Sequence, residues 1–335
     1  MIKKLFLALF SALLISICAD AADYKGKVDR IWDQGYSSFT GITKFRGNYY
    51  VTFREGGGHV FDQNGIAHGM IRILKSKNGD SWESVALLET EGHDLRDPKL
   101  SVTPDGRLMV SMGGSVYVGK DLVARHPFVS FSKDGKTFSD PQRSVLGDGL
   151  DPDASWIWRV TWHKGVGYGT NYADKHVEIV TTKDGVHYEK AEGFSFEGFP
   201  NESTIRFTKD GRMTMFVRHD DGDHAHWGVK TDGDWDWKDI PYYLGGPDHL
   251  IYGKGKNAKV ILSGRRWVPT RTAIFVGDLD GNFEEVLSLP SGGDTSYPGL
   301  MIVGKELWVV YYSCHELGRA AIYFTKIPLR DLGLK

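Results

Sequence analysis

The sequence predicts an all-β chain folded as a six-bladed β-propeller of four-stranded blades. Two interleaved repeats carry that expectation, helped by a composition of 41 glycines and a 13% aromatic share that suits many tight turns and flat packing side chains. The first repeat is a hydroxyl residue, any residue, Asp or Asn, then Gly, two more residues and an aromatic. It stands at residues 76–82, 132–138 and 182–188, ending on Trp82, Phe138 and Tyr188. Each copy follows an apolar, strand-like run. The Asp or Asn hydrogen-bonds its own backbone to close the turn, Gly supplies the positive φ, and the aromatic packs back under the hairpin.

The second repeat is a pair of strands around a tight turn. It recurs at residues 39–53, 97–112, 156–172, 202–218, 249–264 and 297–312, with turns such as Pro104-Asp105-Gly106 and Lys209-Asp210-Gly211. Apolar and polar residues alternate in each arm, which is the period of a strand and not of a helix. An outer hairpin follows each inner one, so six modules of four strands result. The segment 28–32 is expected to close the ring by joining the last blade beside 320–326. No linker divides the chain, so residues 22–335 form one propeller domain.

The first 21 residues read as a secretory signal peptide: Lys3 and Lys4, an apolar run from Leu5 to Cys18, and a small-residue site with cleavage expected after Ala21 or Ala22. Ile17 precedes Cys18 where a lipid-modified leader would carry a small residue. A secreted or periplasmic product without a membrane span is therefore expected. Removal of the leader leaves Cys314 as a lone cysteine, so stability rests on the packed core. A net charge of −2 with no basic block excludes a nucleic-acid partner. A monomer without cofactor is expected, with a glycan or oligosaccharide as its partner.

In such a ring, the start of each innermost strand and the end of the next strand meet at one rim. Those positions hold Ser38, Asp97, Trp156, Glu202, Asp248, His249, Asp294 and Tyr297, and then Arg54, Tyr172, Arg218, Arg265, Arg266, Ser313 and His315. Acids, arginines, tyrosines and histidines converging from separate blades need partners or a ligand. His219, His224 and His226 with Asp220, Asp221 and Asp223 match no zinc spacing and read as a solvated turn, so no metal site is expected.

The turn repeat resembles the Asp-box of sialidase-type propellers, and the rim resembles the sialidase superfamily over nearly the whole mature chain. Asn201-Glu202-Ser203-Thr204-Ile205-Arg206-Phe207 with Val217-Arg218 is similar to the sialidase stretch bearing the catalytic Glu and a carboxylate-binding Arg. Ser296-Tyr297-Pro298-Gly299-Leu300 is similar to the stretch bearing the nucleophilic Tyr. The resemblance implies Tyr297 as nucleophile, Glu202 as its base, and Arg218 with Arg265 as binders of an acidic sugar. Ser38 stands where the family's first arginine is expected, with Arg54 or Arg96 as replacements and Asp97 beside them. The acid/base belongs in the loop after Arg54, where both His59 and Asp62 qualify. His315 is a further substrate contact. The expected activity is a retaining exo-glycosidase acting on sialic acid or a related sugar. The alternatives are a lyase or glycosidase for uronic-acid or sulfated glycans, and a carbohydrate-binding propeller without catalysis.

Overall fold

In a computed structural model, which describes residues 21–173 and 175–335, six antiparallel sheets follow one another along the chain. All but the last residue of the leader expected at 1–21 lies outside the described residues. Blade I is built from Tyr36–Phe45, Asn48–Gly56, Met70–Ser76 and Glu83–Leu88. Blade II follows with Asp94–Val102, Leu108–Val118, Asp121–Ser132 and Gln142–Arg143. Blade III holds Ile157–His163, Val166–Ala173, His176–Thr182 and His187–Phe194, and blade IV holds Pro200–Phe207, Met213–His219, Ala225–Thr231 and Asp234–Ile240. Blade V takes Gly245–Tyr252, Lys259–Arg266, Arg271–Asp278 and Glu284–Leu289. In blades III and V a two-residue strand, Val145–Leu146 or Ala22–Asp23, adds in parallel at the outer edge. No helix among the described residues is long and apolar enough to cross a membrane.

Blade VI closes the ring. Its inner strands Thr295–Val303, Glu306–Ser313 and Ala321–Pro328 come from the C-terminal end of the chain, and its outermost strand is Val28–Trp32 from the N-terminal part. Val28 pairs with Thr325 and Trp32 with Ile322, as the sequence predicts. Ile31 and Trp32 then pack on the cluster that joins blades VI and I, around Val51, Phe53, Leu74, Val310, Tyr312 and Phe324.

The three turn repeats connect the third and fourth strands of blades I to III. Gly79, Gly135 and Gly185 donate their N–H to Ser76, Ser132 and Thr182 hydroxyls, each at 2.8 Å. Asp134 and Asp184 each accept two further backbone N–H groups of their own turn. The glycine has a second purpose besides its positive φ. A Cβ would lie 2.8 Å from Trp308 at Gly79, 2.0 Å from Tyr50 at Gly135 and 2.7 Å from Met109 at Gly185. Each contact is with the second strand of the preceding blade, so the turn is a dock between neighbouring sheets.

Every inner strand carries one register break near its start: Ser38/Gly41, Arg96/Lys99, Trp158/Thr161, Pro200/Ser203, Gly245/Asp248 and Ser296/Gly299. The inserted residues at four of them have positive φ: Phe39 62°, Asp97 49°, Gly246 60° and Tyr297 48°. A bulge twists a strand and re-aims a side chain. For that reason five of the inner strands begin two to four residues before the positions at which alternation suggests a start, and the residues expected at strand starts sit on bulges. Just past the bulges, all six blades are tied at the axis. Asp248 accepts from Arg206 at 2.5 Å and Leu300 N–H at 3.1 Å and pairs with Arg159 at 3.0 Å, while Lys99 donates to the Thr40 carbonyl at 3.0 Å. These six residues come one from each blade, the Thr40 hydroxyl joins the two groups by donating to the Tyr297 carbonyl at 2.7 Å, and the shared network fixes the rim above it.

Candidate active site

Glu202 and Tyr297 reach each other from bulges in blades IV and VI, 95 residues apart in sequence. The Tyr297 hydroxyl donates to Glu202 Oε1 at 2.7 Å, and Arg218 Nη1 donates to the same hydroxyl at 2.9 Å. Arg218 Nη1 also pairs with Glu202 Oε2, which accepts the Gly246 N–H at 2.8 Å. Glu202 is 5% exposed and Tyr297 6%. Burial and the Glu202 charge hold the Tyr297 hydroxyl well above the ordinary tyrosine range, and Arg218 and Arg265 offset this only in part. Tyr297 is therefore neutral at neutral pH, with a carboxylate positioned to take its proton. Burial disfavours the Arg218 charge, but Glu202, Tyr297, Tyr243 and Asp220 outweigh it and hold the guanidinium firmly protonated. Its Nη2 donates to Asp220 at 2.5 Å, so Arg218 is occupied by the protein's own carboxylates.

A second centre forms around Asp294. Its Oδ1 accepts from Arg265 Nη1 at 2.9 Å and Tyr312 at 2.7 Å, and its Oδ2 accepts from Tyr36 and lies 2.6 Å from His59 Nδ1. Burial pushes this carboxyl up, but those hydrogen bonds and the His59 charge win, holding it well below the usual carboxylate range. An ionised Asp294 requires the proton on His59 Nδ1, which leaves Nε2 as the free nitrogen. The His59 side chain is 48% exposed, and its ring lies edge-on to Phe39 at 5.3 Å. Phe39 in turn meets the Tyr297 ring at 5.0 Å, so one aromatic side chain separates the two centres.

The remaining expected residues divide. Arg96 stays at the site: its Nη2 donates to the His59 carbonyl, its guanidinium lies 5.3 Å over Phe39, and Nε pairs with Asp94 at 3.2 Å. Asp97 is half-buried between Lys99 and the Glu202 group. Burial and the Glu202 charge raise its pKa against the pull of Lys99, Arg96 and Arg218. Arg54 is 0% exposed and lies beneath the loop instead of at its surface. It donates to Asp94 at 3.0 and 2.6 Å, to the Gly58 carbonyl at 2.7 Å and to Val60 at 3.3 Å, which leaves it shaping the His59 loop and not facing a ligand. Asp62 closes a turn, its Oδ1 accepting the Asn64 and Ile66 N–H groups at 2.8 Å each, and those bonds lower its pKa against burial. A carboxyl held ionised in this way is a poor proton donor. His315 sits on Tyr323 with Nδ1 2.9 Å from Ser313 and Nε2 3.8 Å from Glu316, on the side facing the third strand of blade VI.

Two contributors, Asp94 and Trp267, escape a reading of strand ends. Asp94 pairs with Arg54 at 2.6 Å and Arg96 at 3.2 Å, while the rim residue Tyr172 lines a cavity of about 410 Å³ with Lys175, Asn201, Arg218 and Asp220. Trp267, 48% exposed in the blade V loop, stacks on Tyr243 at 5.1 Å with Arg265 lying 4.7 Å over its ring. The Arg265 Nη2 and Arg96 Nη1 atoms have no hydrogen-bond partner among the described residues.

No protein-family profile matches the chain, and no curated protein matches it by sequence. Solved structures share its fold. A protein of unknown function from Dyadobacter fermentans superposes with a TM-score of 0.73 at 17% identity, over 91% of this chain and 96% of its own. The α-L-arabinofuranosidase Arb93A of Fusarium graminearum, solved with an iminosugar inhibitor, gives 0.68 at 16% identity, over 90% and 98%. The sialidase of Trypanosoma rangeli, solved with sialic acid, gives 0.66 at 11% identity, over 93% of this chain and 60% of the sialidase. At these identities the likeness establishes the six-bladed propeller as the architecture shared by all of them.

Proposed function

We propose that the chain is a retaining exo-glycosidase whose nucleophile is Tyr297. The observation that carries this reading is the buried 2.7 Å contact between the Tyr297 hydroxyl and Glu202 beside Arg218. A neutral phenol is a weak nucleophile, and a carboxylate at hydrogen-bond distance removes its proton as the bond to the anomeric carbon forms. Arg218 stabilises the negative charge that passes between the two oxygens. The leaving sugar oxygen takes a proton from His59 Nε2, whose imidazolium is stabilised by Asp294 in the manner of a histidine held by an oriented acid. In the second half, neutral His59 draws a proton from water, the water oxygen attacks the anomeric carbon, and Tyr297 departs and regains its proton from Glu202. Of the two loop residues, His59 is favoured over Asp62 because the Asp62 carboxylate is engaged by its own turn.

The substrate is proposed to be a glycan end with an acidic group directed at Arg265 and Arg96, stacked on Trp267. A second reading, a neutral furanoside, is favoured by the pairing of Arg218 and Arg54 with internal carboxylates, which leaves fewer free cations than an acidic sugar would use. The similarity to an arabinofuranosidase fits this second reading. Mass-spectrometric screening of sialosides, uronides, sulfated glycans and arabinofuranosides identifies the class. Tyr297→Phe is expected to lose turnover and keep its fold; unchanged activity in that variant removes the mechanism.

A further inference from the structure

The loop from His219 to His226 joins the second and third strands of blade IV and lies on the far side of Arg218 from Glu202. Its three aspartates have different partners. Asp220 binds Arg218, and Asp223 binds Arg266 Nη1 at 3.0 Å, whereas Asp221 faces histidines. Asp221 Oδ1 lies 3.5 Å from His219 Nδ1 and 3.8 Å from His224 Nε2, and the three groups offer donor atoms all within 4.8 Å of one another. Tetrahedral zinc with Zn–N bonds of about 2.0–2.1 Å separates its ligand atoms by roughly 3.3 Å. Small rotations of the partly exposed Asp221 and His224 close that difference.

His219 supplies the independent observation. Its side chain is wholly buried, and Nδ1 has no hydrogen-bond partner. The tautomers follow from a chain of contacts. His226 Nε2 lies 3.1 Å from Asp239, so it carries a proton. In the neutral imidazole with that proton on Nε2, His226 Nδ1 accepts a hydrogen bond from His219 Nε2 at 2.8 Å. The remaining nitrogen, His219 Nδ1, is left as a bare lone pair aimed at Asp221. A ligating histidine whose other N–H is held by a second group is the usual arrangement around a bound metal. Asp221 is also held from below: the Phe199 N–H donates to Oδ1 at 2.9 Å, and a Cβ at Gly198 would fall 1.9 Å from Oδ2, so only glycine fits there.

We propose that His219 Nδ1, Asp221 and His224 bind one divalent cation of the zinc class. The nitrogen-rich donor set suits zinc or cobalt in preference to magnesium or calcium. A cation here clamps the backbone on both sides of Asp220, the carboxylate that holds Arg218 Nη2, and so steadies one wall of the site without touching substrate.

The test is calorimetric titration of zinc chloride into the chelator-treated, desalted full chain, with cobalt absorption as a second readout. Wild type is expected to bind one equivalent and to unfold at a higher temperature with zinc present. His224→Ala, chosen because that side chain is partly exposed, is expected to fold as wild type and to bind at least about thirtyfold more weakly. Asp221→Asn should weaken binding as well, while His68→Ala, an exposed histidine paired with Glu89 elsewhere, should bind as wild type. The proposal is overturned if wild type shows no saturable one-equivalent binding of either metal. It is equally overturned if His224→Ala binds within threefold of wild type, or if His68→Ala loses as much.

Discussion

A double-mutant cycle on Tyr297 and Glu202 tests whether the two act as a unit. Tyr297→Phe removes a hydroxyl that donates to Glu202 at 2.7 Å and accepts from Arg218 at 2.9 Å. Hydrogen bonds to charged groups contribute about 1.5–3 kcal/mol each, but both partners keep other bonds, so a loss of about 2–3 kcal/mol is expected. Glu202→Gln keeps the volume and removes the charge. The amide oxygen can still serve Arg218 and the Gly246 N–H, and the NH₂ then faces the Tyr297 hydroxyl, which has lost its proton acceptor. Arg218 retains Asp220, so the cost stays below the 3–5 kcal/mol of a fully broken buried pair, at about 2–3 kcal/mol. Because one hydrogen bond is lost in both single variants, the double variant is expected to fall short of additivity by about 1.5 kcal/mol in denaturant unfolding. Turnover on the substrate identified by screening should show stronger coupling. Each single change costs about 10²–10⁴-fold in kcat, and the double is no worse than the poorer single. Independent effects that multiply, in either readout, would refute the shared proton.

The other predictions separate neighbouring roles. His59→Gln should lower kcat by about 10²–10⁴-fold, whereas Asp62→Asn should change it by less than about threefold; the reverse order would move the acid/base to Asp62. Trp267→Ala should raise KM about three- to tenfold with little change in kcat, the loss of a stacking face worth about 0.5–1.5 kcal/mol. His249 is wholly buried, with Nε2 2.9 Å from the Thr214 hydroxyl, and burial followed by the Arg206 and Arg159 charges lowers its pKa well below 6.5. The unfolded chain therefore binds a proton below pH 6.5 that the native state refuses, so stability falls as pH falls. That single group steepens the loss of stability as pH falls below 6.5, and unfolding curves of His249→Gln should lack this share of the slope.

What could be read from the sequence was local and repeated. The Gly79, Gly135 and Gly185 turns, the six hairpins and the closing strand at Val28–Trp32 each leave a pattern within a few residues, because turn chemistry and strand alternation are short-range. Glu202, Arg218 and Tyr297 were legible as a group through motif likeness, and they do meet. The Asp294 centre was not, since its partners Tyr36, His59, Arg265 and Tyr312 are spread over the whole chain and adjoin only when the ring closes. Arg54 misled for a related reason. An arginine at a strand end reads as free, and only the fold sets Asp94 and the Gly58 carbonyl around it.

The bulges explain the rest. Period-two alternation has no symbol for one extra residue, so the inner strands were expected to start where they in fact kink. A signal was nonetheless present. Proline follows the bulge residue in Asp97-Pro98, Gly246-Pro247 and Tyr297-Pro298, in three different blades. Proline lacks a ladder N–H and is tolerated within a sheet mainly at edges, strand starts and bulges. On an innermost strand, hydrogen-bonded along one side and packed against its neighbours around the axis, the bulge is the reading that lets the strand continue. The residue before each of these prolines is then the one turned out of the pleat into positive φ. That geometry brings Tyr297 to Glu202, directs Asp97 toward the same carboxylate, and leaves the Gly246 N–H free to hold it.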